Sequence, residues 1–390
     1  MKQKTILSIG AGFPQVDFIR SLKEKGHYVV SIGKGRNSKE AIELSDDFAE
    51  VNTHCEDEVI SWIKNYSKKI DAVGSYSGGK AIRTLQIVNQ FLNLHTEIPE
   101  ELIIGMDKFS QQELYEKHKL TTIKSWNIRE ITADQDLIKD VDKFIIKPTI
   151  GRGSSGVQII KKHKLLSDIR NCLYTEDTII QEFREGKEYR VSALIQNGEL
   201  KLLAPIERKS FNKTVFLGRL SYDDSHIEAI ESYFMKFVGE CGIKNVIFKA
   251  DILVSKGNID MIEMDIGVGG GIYYKKYLSE LFKYDLNNEY INLIINEKVN
   301  KANNPAKNKF MDYIYNLSGR PIVLDLISIE KLLNQLIGAH KIIRNLLKPE
   351  EHGKFQSNAD FIFSIIHENE NISNFELNKI INQKLFINAE

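Results

Sequence analysis

The first hundred residues alternate between short apolar runs and amphipathic stretches. "TILSIGAG" is a β-rich run that ends in glycines. "PQVDFIRSLKEKG" has apolar positions at helical spacing, with Val16, Ile19 and Leu22 on one stripe and Gly26 as a stop. "HYVVSIG" reads as a second strand, "DDFAEV" as a short third, "DEVISWIKNYSKK" as a helix, "DAVGSYSG" as a fourth strand with its turn, and "KAIRTLQIVNQFLNL" as a further helix. Strand and helix alternate to about residue 105, which predicts a parallel sheet with helices on its faces.

A helix over "GMDKFSQQELYEKHKL" opens a different pattern. "KFIIKP", "GVQIIKK", "TIIQEF", "EYRVSALIQ" and "ELKLLAPIE" read as strands joined by short turns, with Asn197-Gly198 a two-residue hairpin signal. "HIEAIESYFMKFVGECG" is helical, and "VIFKADILVSKGNIDMIEMDIG" is a hairpin. Residues 301–390 are rich in Lys, Asn and Glu, read as polar-faced helices and carry no motif.

Composition narrows the function classes. Lys plus Arg number 53 and Asp plus Glu number 53, which argues against a dedicated nucleic-acid binder, since neutralising phosphates needs a net basic face. Cys55, Cys172 and Cys241 lie too far apart for a disulfide framework, which fits a reducing cytoplasm. Nine histidines are scattered without metal-site spacing, so no zinc site is expected. No apolar run approaches a membrane span, and the opening "MKQKTILSIGAG" is too short in its apolar part for a signal peptide.

Three glycine-rich stretches are candidates for chemistry. "GAGFPQ" opens like a dinucleotide loop, but Gln15 stands where the third glycine belongs, so a tight strand–helix turn is the plainer reading. "GSYSGG" has Tyr76 where a nucleophile elbow needs serine; a substrate-pocket loop and a plain turn remain evenly matched. "KPTIGRGSSG" is not a P-loop, because its lysine precedes the glycines. Its glycines and serines leave backbone amides free to approach phosphate oxygens, and Lys147 would lie beneath as a point charge. A mobile hairpin loop with an incidental lysine is the alternative.

More than a hundred residues on, strict alternation puts Lys249, Asp251 and Leu253 on one strand face, and Ile259, Met261, Glu263 and Asp265 on one face of the next strand. A three-residue loop Ser255-Lys256-Gly257 would set Asp251 opposite Met261 and Lys249 opposite Glu263, with all the charged groups on one side. Converging carboxylates repel unless a cation sits between them, and magnesium favours such oxygen donors together with substrate phosphates. Pairing with surface lysines is the alternative. A glycine flap with a lysine and an acidic hairpin together make two halves of a nucleotide site.

These motifs resemble the ATP-grasp superfamily, and among its members D-alanine–D-alanine ligase, biotin carboxylase and the amino-acid ligases, over roughly residues 1–300. The resemblance implies an α/β ATP-grasp fold. Its parts would be an N-terminal parallel α/β domain (1–106), an ATP-grasp domain (107–300, with a flap subdomain about 115–180 and a metal and adenine lobe about 181–300) and a helical C-terminal region (301–390). "GMDKF" resembles the entry motif, whose lysine, here Lys108, touches ATP phosphate. "FIIKP" resembles the second lysine strand, with Lys147 on phosphate, and Gly151, Gly153, Ser154, Ser155 and Gly156 stand in the flap. "IIQEFREGKEYRV" resembles the hinge. It would place Gln181 in the nucleotide site, adenine on main-chain groups of Glu182 and Phe183, and ribose on Glu188. Asp251, Glu263 and Asp265 would hold Mg2+ (or Mn2+), and Lys249 would lie near the reacting carbonyl. Asp265 stands where the family commonly has asparagine, and Gly267 where many relatives have a substrate-contacting arginine. Arg190, Arg208, Lys209 and Arg219 are the substitutes for that arginine.

The implied activity is a carboxylate–amine ligase: a small-molecule acid is activated by ATP as an acylphosphate and joined to an amine. A carboxyphosphate-forming carboxylase, a regulatory ATP-binding module and a nicotinamide oxidoreductase resting on "GAGFPQ" are the alternatives. The expected partners are small molecules, with no nucleic acid or membrane, in a cytoplasmic protein open to homodimer formation. The acid and the amine are not legible.

Overall fold

The computed structural model describes residues 2–35, 37–103, 107–150, 154–268, 271–318, 322–323, 325–344, 358, 360–385 and 387–388. The N-terminal part is the expected alternation: β1 (Thr5–Ile9), α1 (Val16–Glu24), β2 (Tyr28–Gly33), α2 (Lys39–Leu44), β3 (Asp47–Glu50), α3 (Glu56–Asn65), β4 (Ala72–Gly74) and α4 (Lys80–Phe91). Its four strands are parallel in the order β3-β2-β1-β4. Parallel strands joined by helices are covered on both faces, and β1 is buried at Ile6 to Ile9 accordingly. Val16, Phe18, Ile19 and Leu22 form the buried stripe of α1.

Next come α5 (Lys108–Lys117), β5 (Ser125–Asn127), α6 (Ile128–Ala133), β6 (Lys143–Pro148), β7 (Gln158–Lys161), α7 (Lys162–Arg170) and β8 (Thr178–Glu182). The strands form an antiparallel sheet, β5-β8-β6-β7, with its own small core of Trp126, Ile131, Ile138, Phe144, Ile146, Leu165 and Ile180. The glycine-serine stretch joins β6 to β7.

The remaining elements are β9 (Lys187–Gln196), β10 (Glu199–Ser210), β11 (Leu217–Tyr222), α8 (Ile227–Glu240), β12 (Val246–Ser255), β13 (Asn258–Ile266), α9 (Gly271–Phe282), α10 (Leu286–Ile294), β14 (Phe310–Ile314), β15 (Ile322–Val323), α11 (Leu326–Ile337), β16 (His340–Arg344), β17 (Phe363–His367), α12 (Asn374–Leu385) and β18 (Ile387–Asn388). Asn197 and Gly198 turn β9 into β10 with φ of 54° and 77°, the left-handed pair that a tight hairpin turn requires.

The C-terminal region corrects an expectation. Helices α11 and α12 are present, but β14, β17 and β16 extend one eight-stranded antiparallel sheet, β13-β12-β9-β10-β11-β14-β17-β16. "FMDYI" and "FSIIH" are short apolar runs inside a polar composition, and pairing, of β14 with β11 and of β17 with β14, makes them strands. Helices α5 and α8 pack on one face of this sheet, with Tyr115, Phe234 and Phe237 against Val191, Phe248 and Met264. Helices α9 and α10 fill the space between the sheet and the N-terminal part, with Tyr274, Leu281 and Ile291 sharing a core with Phe18 and Leu220. Among the described residues, no helix is long and apolar enough to cross a membrane.

Candidate active site

The hairpin β12–β13 sets the site. Its turn is shorter than expected: Ser255 pairs with Asn258 across Lys256-Gly257, with φ of 49° and 84°. Continued without interruption, that register would put Asp251 opposite Ile262 and drive Glu263 into the core. A bulge between Asp251 and Ile252 inserts Ile262 as an extra residue, so Asp251 faces Glu263 and Lys249 faces Asp265. The predicted face of β13 is split by the same bulge. Met261 and Met264 both turn into the core, while Glu263 and Asp265 stay with Lys249 and Asp251.

Strands β9 and β10 bring the arginines. Arg190 lies directly across from Asp251 and grips it bidentately, Nε to Oδ1 at 3.0 Å and Nη2 to Oδ2 at 3.1 Å. Arg208 adds a donor to Asp251 Oδ2 at 3.0 Å and also pairs with Glu188. Burial alone would push the Asp251 carboxyl up, but the charges of Arg190, Arg208 and Lys249 outweigh it and hold it far below the usual carboxylate range. Lys249 donates to Asp265 Oδ2 at 3.0 Å. Tyr274 of α9 lies 5.6 Å beneath the Arg190 guanidinium and accepts a hydrogen bond from Ser192.

This changes the metal reading of the three acids. Both oxygens of Asp251 accept from guanidinium groups, so it braces Arg190 and Arg208 and is the least free of the three acids expected to hold a cation. The Glu263 side chain is in no ion pair with a described residue, and Asp265 is a third exposed. These two carboxylates fit a magnesium ion, which takes one or two protein carboxylates and completes its shell with phosphate and water. Arg208 Nε is buried and has no hydrogen-bond partner among the described residues, a donor that an anion would satisfy.

Lys147 lies nearby at the end of β6, 7% exposed, and donates to Gln181 Oε1 at 2.9 Å. Gln181 in turn donates to Gln112 and Ser125, which fixes its amide. Burial pushes the Lys147 ammonium down to about 8; Glu263 pulls it up, Lys108 pushes it down, and Glu188 pulls it up. The two predicted lysines, the hairpin acid and the predicted ribose acid therefore all act on one point. Lys108 is placed there because its backbone N–H donates to Thr149 O at 3.0 Å, tying the start of α5 to the end of β6.

Of the predicted flap residues, Gly151 and Gly153 lie outside the described residues. Ser154 takes φ of 60°, and its Oγ accepts from Asn358; Ser155 and Gly156 are exposed. The backbone N–H groups of Glu182 and Phe183 donate to Lys124 O and Lys143 O, so neither is available as a donor to a purine.

Two substitutes for the family's arginine are placed elsewhere. Arg219 pairs across strands with Lys209, one register step from Arg208, and therefore lies on the other sheet face. There it grips Asp312 bidentately at 2.8 and 2.7 Å. Lys209 is exposed beside Glu207. Gly267 has φ of +126°, a conformation L side chains rarely adopt, which explains why no arginine stands there.

The N-terminal glycine stretches meet each other. Gln15 Nε2 donates to Ser77 Oγ at 2.6 Å, and a Cβ on Gly10 would lie 2.9 Å from both side chains. The residue replacing the third glycine thus closes "GAGFPQ" onto "GSYSGG". The sequence reading missed Lys275, whose Nζ sits 3.3 Å over the Tyr76 ring at this edge of the parallel sheet. Burial pushes it down to about 7, against the pull of Asp17. Its only signal was a lysine just after the glycine run that follows the acidic hairpin.

Residues 106–264 match the family model described as an ATP-grasp domain. Similar solved structures cover nearly the whole chain. They include an L-amino acid ligase from Bacillus licheniformis, 14% identical over 100% of both chains with a TM-score of 0.70. An N5-carboxyaminoimidazole synthetase from Staphylococcus aureus complexed with ADP is 14% identical over 98% of each, with a TM-score of 0.71. A phosphoribosylglycinamide synthetase from Anaerococcus prevotii is 19% identical over 100% of each, with a TM-score of 0.69. No curated protein matches the sequence. At these identities the structural likeness shows the fold. The family match identifies residues 106–264 within it as an ATP-grasp domain.

Proposed function

We propose that the protein is an ATP-dependent ligase that activates a small-molecule carboxylate as an acylphosphate and joins it to an amine, releasing ADP and phosphate. The observation that carries this is the buried Lys147, held by Gln181 and within the fields of Lys108, Glu263 and Glu188, together with the hairpin that sets Lys249, Asp251, Glu263 and Asp265 on one face. That charge pattern suits a nucleotide polyphosphate with a cation.

In this reading Lys108 and Lys147 hold ATP phosphates, with Gln181 fixing Lys147. Ser154, Ser155 and Gly156, with Gly151 and Gly153, cover the phosphates and keep water from the acylphosphate. Glu188 takes the ribose, and the segment at Glu182 and Phe183 meets the adenine without their amides. Glu263 and Asp265 hold the magnesium, which when bound neutralises charge on the phosphate oxygens. Arg208, steadied with Arg190 by Asp251, offers its Nε to the anionic acid.

The acid's oxygen bonds to the γ-phosphorus as the bond to ADP breaks. The amine nitrogen then bonds to the acyl carbon, the bond to phosphate breaks, and a proton leaves the nitrogen. In this reading Lys249, paired with Asp265, stabilises the oxyanion formed at that carbon. The full-length likeness to an N5-carboxyaminoimidazole synthetase favours, as a second reading, the same chemistry with bicarbonate as the acid.

ADP and phosphate release from ATP-magnesium, across amino acids singly and in pairs and with bicarbonate, tests both. Release that depends on particular acids and disappears in Glu263→Ala supports the ligase. Release with bicarbonate alone moves the assignment to the second reading. No acid-dependent release from a protein that binds ATP rejects both.

A further inference from the structure

Away from this cleft, Glu101, His118 and Cys241 bring a carboxylate, an imidazole and a thiol together, with one donor atom of each within 4.8 Å of the others. They come from three segments. Glu101 lies on the single turn Glu100–Leu102 that leaves the N-terminal part, His118 caps the C-terminus of α5, and Cys241 caps that of α8. Cys241 Sγ is 3.8 Å from His118 Nδ1 and 4.0 Å from Nε2, and Nε2 is 3.5 Å from Glu101 Oε1. A tetrahedral zinc ion, with bonds of roughly 2.0–2.3 Å, spaces its donor atoms about 3.3–3.6 Å apart. The His118–Glu101 pair already has that spacing and the Cys241–His118 pair is within a few tenths of an ångström of it, with all three donors inside 4.8 Å.

The surroundings favour this use. Lys117 pairs with the other Glu101 oxygen, Oε2, which turns Oε1 toward the ring, the orienting role of an outer-shell partner. Phe237 meets the His118 ring edge-on, centroids 6.0 Å apart at 76°, and fixes its plane. The Cys241 side is buried while Glu101 is 36% exposed, which leaves solvent access for a fourth ligand. A Cys–His–Glu nucleophile is the competing use. It is disfavoured because Cys241 is only 8% exposed, which keeps its sulfur from a substrate's reach.

We propose that Glu101, His118 and Cys241 bind one zinc-class divalent cation with water as fourth ligand, tying the linker at Glu101 to α5 and α8. Sulfur and nitrogen donors select zinc or cobalt over magnesium, so the site is chemically separate from the hairpin carboxylates. Sequence spacing gave no hint of it, because His118 and Cys241 are 123 residues apart.

Co2+ titration of the full chain, read by thiolate-to-cobalt charge-transfer absorption, tests the proposal. One equivalent should produce the band, Zn2+ should abolish it, and Mg2+ should leave it unchanged. The Cys55→Ser/Cys172→Ser double variant should keep the band and Cys241→Ser should lose it. Glu101→Gln, at an exposed position, should keep its circular dichroism and weaken cobalt binding about tenfold or more. No band in the unaltered protein, loss of the band in the double variant, or a band surviving Cys241→Ser would overturn the proposal.

Discussion

Two arginine–aspartate pairs cross the same large sheet, and they differ in how they are finished. Arg219 and Asp312 face each other on β11 and β14, 7% and 0% exposed. His367 Nε2 sits 2.8 Å from Asp312 Oδ2, Asn374 donates to Oδ1, and Arg219 also donates to Ile372 O. Both oxygens of Asp312 and the Arg219 guanidinium are thus engaged by described residues. Arg190 and Asp251 face each other on β9 and β12 with a similar grip, but a second arginine joins them, one of its donors is orphaned, and Glu188 beside it is 40% exposed. The same cross-strand chemistry is fully engaged on one face and, on the other, keeps a guanidinium donor, Arg208 Nε, that has no partner among the described residues. That donor is what the proposed reading assigns to the anionic acid.

The comparison predicts opposite responses to substitution. Asp312→Ala strands a buried guanidinium, and breaking such a pair costs roughly 3–5 kcal/mol; denaturant unfolding should show that loss, while nucleotide affinity of the folded fraction stays the same. Glu263→Gln should do the reverse, lowering turnover by on the order of 10²–10³ with an unchanged unfolding midpoint. Arg208→Met should fall between them. It removes the orphaned donor, so kcat/KM for the acid should drop about tenfold through a raised KM, with stability changed by less than about 1.5 kcal/mol. An unfolding cost as large as that of Asp312→Ala would make Arg208 a structural residue too.

The smallest effect concerns pH. Lys147 is held at about 8, below its ordinary 10.5, so the folded protein binds fewer protons than the unfolded chain between those values. Its contribution to nucleotide-free stability therefore rises with pH through that window and is lost as pH falls through 8. Nucleotide affinity runs the other way, since the charged ammonium is lost above pH 8. Calorimetric titrations at pH 7 and pH 9 should show weaker binding at pH 9, and in Lys147→Met that part of the pH dependence should vanish.

Local pattern made much of this legible. The N-terminal alternation, the Asn197-Gly198 turn and the stripe of α1 are short-range signals, and the structure has them. Residue type and spacing singled out Lys147 and the hairpin acids; the structure buries Lys147 at the end of β6 and sets Asp251 opposite Glu263, while their roles remain proposals. The bulge at Ile262 was not legible, since an extra residue leaves strict alternation looking intact. Nor was the commitment of Asp251, whose partners Arg190 and Arg208 are 61 and 43 residues away. Arg219 was misplaced because the sheet face of β11 depends on its register with β10. The C-terminal strands were missed because their pairing comes from tertiary contact.

Isothermal titration with ATP-magnesium of the unaltered protein and of Lys147→Met tests the central claim most directly. The account predicts saturable binding at one site per chain, weakened about 10- to 100-fold by the substitution, as expected for loss of a charge-assisted phosphate contact, with NAD giving no signal. Equal ATP affinity in the two proteins, or no ATP binding in either, would contradict it.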